Sequence, residues 1–203
     1  PIKVVFISTD KACKPVNAYG MSKALAERIH LRGNNPPFAI HNCVRYGNVL
    51  GSRGSIVELI EKQRGSGVIP LTDERMTRYW IPIDKVIEHT IDALRLMESG
   101  EIFVPKMCST KVVDLMKALA PECTFKLTGM RPGEKIHETI ITEYESHRTR
   151  DVGGMCAIEP EFANWARPDS LARYPLLPKG IIYSSDSELC LLPAERAREV
   201  LRV

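Results

Sequence analysis

The chain has 203 residues, 44% hydrophobic and 26% charged, with a formal net charge of +3 at pH 7. These are ordinary globular values, enough for one compact domain or a domain with a small lobe. No apolar run approaches the ~18 residues of a membrane span. The apolar start is too short for a signal peptide, and Lys3 interrupts it. The charge is mild and spread out, so nothing argues for nucleic acid. The six cysteines show no C-x-x-C spacing. Reduced thiols in a cytoplasmic protein are expected, rather than a metal centre or disulfide framework.

Ile2 to Ile7 is a short β-branched run that reads as a buried parallel strand. It leads into Ser8-Thr9-Asp10-Lys11. Asn17 to Leu31 reads as a helix, with Asn17 as N-cap and Met21, Leu25 and Ile29 at four-residue spacing. Tyr19 and Lys23 are four apart and share a face. They point beside the strand end that carries Thr9, Asp10 and Lys11. Arg32 to Pro37 is a turn, and Phe38 to Val44 a second buried strand, in the βαβ alternation of a parallel sheet. Arg45 to Ser55 is a glycine-punctuated loop. There, Asn48 can hydrogen-bond a diphosphate or ribose, and Arg53 can neutralise phosphate.

Ile56 to Lys62 reads as a helix, broken over Gly65 to Pro70. The charge-dense run Thr72 to Arg78 is tethered by a short strand, Trp80 to Ile83. Asp84 caps a helix to about Glu98, with Val86, Ile87, Ile91 and Leu94 on its buried side. Glu101 to Pro105 is a strand returning to the main sheet, and Thr110 to Leu119 another helix. In Arg131-Pro132-Gly133-Glu134-Lys135, Pro-Gly sets a turn. Arg131 suits a phosphate, and Glu134 can accept from two ribose hydroxyls. His137-Glu138 lacks a second His at zinc-helix spacing, so no metal site is expected. Pro160 to Pro178 is loop-rich. A helix from Pro193 to Val203 closes the chain, packing on the smaller lobe.

The fold expected is α/β: the C-terminal part of a Rossmann-like, doubly wound parallel sheet with a smaller α/β substrate-binding lobe. Residues 1–55 would belong to the sheet domain and 56–203 mainly to the lobe, with 80–106 returning to the sheet. Open sheets of this kind bind ligands at the carboxyl ends of their strands. No Gly-rich phosphate turn precedes the first strand. The chain is therefore expected to be the C-terminal portion of a longer protein. Tyr19 and Lys23 suggest proton transfer coupled to hydride transfer. The ammonium stabilises a phenolate by Coulomb attraction, and the phenolate can deprotonate a sugar hydroxyl. Tyr-x-x-x-Lys also arises by chance on helices. The Ser-Thr-Asp-Lys strand end is what raises its weight.

The string Ser8-Thr9-Asp10-Lys11-Ala12, then Pro15, Asn17, Tyr19-Gly20 and Ser22-Lys23, resembles the extended short-chain dehydrogenase/reductase superfamily. Within it, the chain is most similar to the UDP-N-acetylglucosamine 4,6-dehydratases, best of all to the configuration-inverting type that opens pseudaminic acid synthesis. Further matching stretches are Arg45 to Ser55, Arg75 to Arg78, Gly100 to Lys106, Arg131 to Lys135 and Glu145 to His147. The resemblance implies a lyase acting on UDP-N-acetylglucosamine. NADP would be tightly bound and regenerated, with NAD as the alternative. The full-length protein would be a homo-oligomer, with no nucleic-acid or membrane partner.

By the same resemblance, Thr9 would bond the C4 oxygen and Tyr19 would take the C4 proton. Lys11 would remove the C5 proton, and Asp10 would protonate the leaving C6 hydroxyl. Tyr19, Lys23, Tyr46 and Val49 would line the nicotinamide nucleotide. Asn48, Arg53, Thr72, Met76, Arg78, Arg131 and Glu134 would contact the UDP-sugar. The rivals are a 4-epimerase and a C5-retaining dehydratase, although membrane-linked retaining enzymes typically show Met where this chain has Tyr19. A non-catalytic NADP-binding module, or a piece inactive by itself, is also open.

Overall fold

A computed structural model describes residues 1–201 apart from Arg53, Asn164, Ala166 and Arg167. In chain order, β1 (Ile2–Thr9) is followed by α1 (Ala18–Arg32), β2 (Ala39–Tyr46), β3 (Asn48–Leu50), α2 (Ile56–Arg64), β4 (Val68–Leu71) and β5 (Thr77–Pro82). Then come α3 (Ile83–Leu96), β6 (Ile102–Pro105), β7 (Cys108–Lys111), α4 (Val112–Leu119), β8 (Thr124–Leu127) and β9 (Thr139–Ile141). α5 (Glu143–Ser146), β10 (Thr149–Asp151) and β11 (Met155–Ile158) complete the longer elements. The closing segment, expected as an α-helix, is a 3-10 helix over Ala194–Leu201.

Two compact units emerge. The first comprises Pro1–Tyr46, Ile87–Lys106 and Thr139–Tyr183. Its five-stranded sheet runs β1-β2-β6-β11-β10. β1 pairs with β2 in parallel from Ile2↔Ala39 to Thr9↔Tyr46. β6 joins β2 in parallel, Cys43↔Ile102, so the strand expected to return to the main sheet does so. β11 and β10 then continue it antiparallel. A short turn joins those two, with Gly153 at φ +95, and such turns join only antiparallel neighbours. The expected boundary near residue 55 falls at Tyr46, and 139–183, expected in the lobe, belongs with the sheet.

The second unit comprises Gly47–Val86, Met107–Glu138 and the chain from Ser184. It holds a three-stranded sheet, β3-β5-β7, and the pair β4-β8. Its core gathers Ile60, Ile69, Leu71, Val113 and Met116. Val200 of the closing segment packs with Leu50, Trp80 and Leu115. The stretch expected as a loop after Arg45 thus contains the end of one strand and all of another.

Three packing expectations need correction. Among the described residues β1 stands last in the sheet order and is covered only at its end: Ile2 is 71% exposed and only Ser8 and Thr9 are buried. On α1, Met21, Leu25 and Ile29 do form one stripe, but it faces outward. α3 begins at Ile83, so Asp84 lies in its first turn, and Ile87 and Ile91 are exposed while Ala93 is buried. In each case, periodicity located the element without identifying which face is covered.

What the inner face of α1 meets is polar. Glu27 is 3% exposed. Arg45 of β2 grips it with two bonds, Nε to Oε1 at 2.9 Å and Nη2 to Oε2 at 2.8 Å. Nη1 of Arg45 reaches Glu145 of α5 at 2.9 Å and the Ile140 carbonyl at 3.1 Å. Ser8, next to the end of β1, donates to Glu27 at 2.5 Å. One guanidinium thus ties β1, α1, β2, β9 and α5 together. Burial works against the ionised Glu145, but Arg45 and the Thr142 bonds outweigh it and hold its pKa below the ordinary 4.5. Because the folded value is depressed, the stabilisation is complete above that pH and disappears as pH falls through the folded value. Removing one partner of a buried ion pair leaves an uncompensated charge. Arg45→Leu is therefore expected to cost about 3–5 kcal/mol in urea unfolding at neutral pH. Glu145→Gln should flatten the loss of stability seen in unfolding curves below about pH 4.5.

Candidate active site

In the sheet unit, β1 stops at Thr9 and the chain folds into a single 3-10 turn, Asp10–Ala12. Thr9 caps that turn, its Oγ1 accepting from the Lys11 amide at 3.4 Å and donating to Asp10 Oδ1 at 3.0 Å. Lys11 Nζ reaches the same Oδ1 at 2.9 Å. Asp10 is fully buried, and its Oδ2 has no partner. Adjacent residues of a strand point to opposite sides. The turn is what lets Asp10 and Lys11 meet. Lys14 follows at φ +48, a left-handed position uncommon for a residue with a side chain.

Asn17 then starts α1, accepting from the Gly20 amide at 2.8 Å. The first turn of α1 sits directly on the Lys11 carbonyl. A Cβ at Gly20 would lie 2.4 Å from that oxygen. Tyr19 stands 53% exposed. Lys23, one turn on, donates to the Ile7 carbonyl at 3.2 Å and lies 4.8 Å over the Phe6 ring. The hydroxyl, carboxylate, ammonium, phenol and second ammonium expected together are all carried by β1, the turn after it and the start of α1. Tyr46, the register partner of Thr9, places its ring in the core. Its hydroxyl meets Thr90 Oγ1 at 2.6 Å, and burial, against that bond, pushes its pKa up to about 12.

The remaining expected site residues lie in the second unit. Asn48 and Val49, on β3, line a cavity of about 240 Å³ with Ser52, Ser55 and Trp80. Gly47 is required there, since a Cβ would come within 2.3 Å of Tyr79 Cβ. Arg53 lies outside the described residues. Thr72 is half-buried and Met76 buried. Arg78 donates to the carbonyls of Thr77, Ile136 and Lys135, at 2.7, 3.0 and 2.8 Å. It therefore straps down the segment after the Arg131–Glu134 turn. That turn is as expected: Gly133 has φ +80, and the Glu134 amide donates to Arg131 O at 3.1 Å. Glu134 Oε2 caps the Arg131 amide at 3.0 Å, and the Arg131 side chain is exposed.

The Glu27–Arg45–Glu145 network was not assigned a role from sequence, although Arg45 and Glu145 stand in matched stretches. A lone Arg in an apolar strand, and a Glu on the helix that carries Tyr19 and Lys23, were the available signals.

Residues 2–160 match the family model for polysaccharide biosynthesis proteins. The chain belongs to this family. It is 41% identical over 166 residues to the inverting UDP-N-acetylglucosamine 4,6-dehydratase of Campylobacter jejuni, covering 78% of this chain and 49% of that protein. It is 34% identical over 164 residues to the UDP-glucose 4-epimerase of Rickettsia typhi, covering 77% and 48%. The X-ray structure of Pen from Bacillus thuringiensis matches with a TM-score of 0.84 and 29% identity, covering 98% of this chain and 61% of that one. The chain spans about half the length of the curated relatives it matches.

The close approach at Gly20 makes a specific prediction. In Gly20→Ala the added methyl must push α1 off the Lys11 carbonyl. The expected cost is about 1–3 kcal/mol in thermal or urea unfolding. The analogous Ser22→Ala, at an exposed position on the same turn, should change stability by less than about 0.5 kcal/mol.

Proposed function

We propose that this chain carries the chemistry of an NADP-dependent lyase. It would dehydrate UDP-N-acetylglucosamine to a UDP-4-keto-6-deoxy-hexosamine with inversion at C5. The observation that carries this reading is the Thr9–Asp10–Lys11 turn. It holds a hydroxyl, a carboxylate and an ammonium in mutual contact just past β1, with the Tyr19 phenol exposed on the next helix. The similarity to the Campylobacter dehydratase supports it. The family description supports a place in polysaccharide biosynthesis, and the reading takes pseudaminic acid as the product line.

The donor set suits a nicotinamide nucleotide. Lys23 has three N–H donors and gives one to Ile7, which leaves others for a ribose diol beside Tyr19. Such a cofactor, when bound, supplies acceptance of hydride from C4 and its return at C6. Val49 and the Tyr46 backbone would flank it. Tyr19 Oη takes the proton of the C4 hydroxyl, while Thr9 Oγ1 hydrogen-bonds that oxygen as its charge changes. The resulting ketone acidifies the C5 proton, which Lys11 Nζ removes; after C6 has been reduced, a proton adds back at C5 from the face opposite the one it left, which inverts that centre. Asp10 gives a proton to the C6 hydroxyl, which leaves as water. These roles need Lys11 neutral and Asp10 protonated. Lys11 Nζ and Asp10 Oδ1 stand 2.9 Å apart, so the two proton-handling groups act on neighbouring atoms of one substrate. Asp10 Oδ2 is the oxygen that neither Thr9 nor Lys11 engages. Asn48, Arg53, Thr72, Met76, Arg78, Arg131 and Glu134 are assigned to the UDP moiety, with the exposed Arg131 guanidinium as the phosphate group's partner.

In the full-length enzyme, Lys11→Ala should lower formation of the 6-deoxy product by at least about a hundredfold. Reduced cofactor should still appear transiently at 340 nm, because C4 oxidation does not use Lys11. Tyr19→Phe should lose both signals. Turnover of Lys11→Ala near the wild-type rate would remove the assigned role.

Turnover in deuterated water tests the stereochemistry. Inversion predicts deuterium at C5 and ring-proton couplings of the L-arabino 4-ulose. A D-xylo product would make the enzyme a retaining dehydratase. A product altered only at C4, without deuterium at C5, would make it an epimerase.

A further inference from the structure

The sheet unit contains a cavity of about 280 Å³ that the chemistry above does not use. Arg28, Arg32 and Arg148 line it, together with Phe162 and Trp165. Arg28 and Arg32 are four apart and share a face of α1. That face is not the face of Tyr19 and Lys23. Arg28 follows Tyr19 by nine residues, half a turn round the helix and about 13 Å along it. The strands give the same separation. Ile102, in the cavity wall, is level with Cys43 and hence with Phe6. It therefore lies about 10 Å short of the strand end at Thr9.

The charge around this cavity is unbalanced. None of the three guanidinium groups makes an ion pair among the described residues. Two carboxylates stand in the wall against three guanidinium groups, and each makes its hydrogen bonds to other side chains. Glu145 is held by Arg45 at 2.9 Å and by Thr142. Glu161 accepts the Tyr144 hydroxyl. Arg148 uses one Nη on the Glu159 carbonyl and faces the Tyr144 ring, and its buried Nε has no partner. Burial, and then Arg28, pull the Arg148 pKa down, against Glu145 and Glu161, which raise it. The other walls are flat and apolar. The Trp165 ring lies so close on Gly100 that a Cβ there would sit 2.9 Å from its Cζ2.

We propose that this cavity binds a small phosphate ester with an aromatic body, the phosphoryl group between the arginines and the ring against Trp165. Guanidinium forks match phosphoryl oxygens in pairs, and they do so better than a point charge would. The volume is at the lower end for small-molecule sites, so a nucleoside monophosphate or simpler aryl phosphate fits and a dinucleotide does not.

The probe is phenyl phosphate, titrated into the full-length protein, with calorimetry as the readout. Binding is expected with Kd below about 1 mM, at least about tenfold tighter than inorganic phosphate. Arg28→Ala and Arg32→Ala, both on the helix surface, should each weaken it by about tenfold or more. Trp165→Ala should reduce phenyl phosphate to the affinity of inorganic phosphate. Arg131→Ala should leave it unchanged. Absence of binding would overturn the proposal. So would binding indifferent to Arg28 and Arg32, or binding lost with Arg131. Uridine monophosphate competing with phenyl phosphate in the wild type and not in Arg28→Ala would identify the nucleotide class. Failure to compete would leave the site to simpler aryl phosphates. None of these readouts requires dehydratase activity, so failure of the enzymatic reading would be separately visible.

Discussion

A single guanidinium, Arg45, holds the sheet unit's chemistry in place. It lies between two buried carboxylates, Glu27 and Glu145, with 4% of its own surface exposed. Charges taken out of water are costly unless their partners are close and well aligned. Here alignment is supplied by the fork to Glu27, and by the capping box in which Thr142 and Glu145 bond each other reciprocally. The result is directional in a way that an apolar contact is not. β2 and α1 can meet only in the one register that presents Glu27 to Arg45. Ser8 joins the same carboxylate, so the end of β1 is drawn into that register too.

The turn after β1 depends on this. Thr9, Asp10 and Lys11 are consecutive, and a continued strand would have separated them onto two faces. Ending the strand at Thr9, capping the turn with its hydroxyl and seating α1 on the Lys11 carbonyl collapse the three into one contact set. Gly20 is small for that reason. The second unit is built on different terms. Its described candidate nucleotide residues sit on a short strand, on the run into β5, on β5 itself and at a Pro-Gly turn. Arg78 turns inward to fix the backbone of its own neighbourhood, whereas Arg131 is left outward.

Much of this was legible because the motif is local. The strand, the N-cap at Asn17, the four-residue spacing of Tyr19 and Lys23 and the Pro132-Gly133 turn all follow from short-range rules, and all are in the structure. Burial was not legible in the same way. Met21, Leu25 and Ile29 have a buried stripe's spacing and face outward, while the covered face of α1 is anchored by a glutamate. The sequence signal for that glutamate is poor because its partners, Arg45 and Ser8, lie 18 and 19 residues away. The antiparallel end of the sheet was missed for a similar reason. β10 and β11 are short, and the segment 139–183 offers little alternation to betray them.

One feature of α1 constrains how this protein can vary. Within thirteen residues, Gly20, Lys23, Glu27, Arg28 and Arg32 each face a particular neighbour or cavity. Adding or deleting one residue between Gly20 and Glu27 would rotate the two ends of the helix by about 100° relative to each other. Either the Lys11 contact or the Arg45 fork would then point into the wrong space. The length of the helix between those contacts is therefore fixed by the geometry at its two ends.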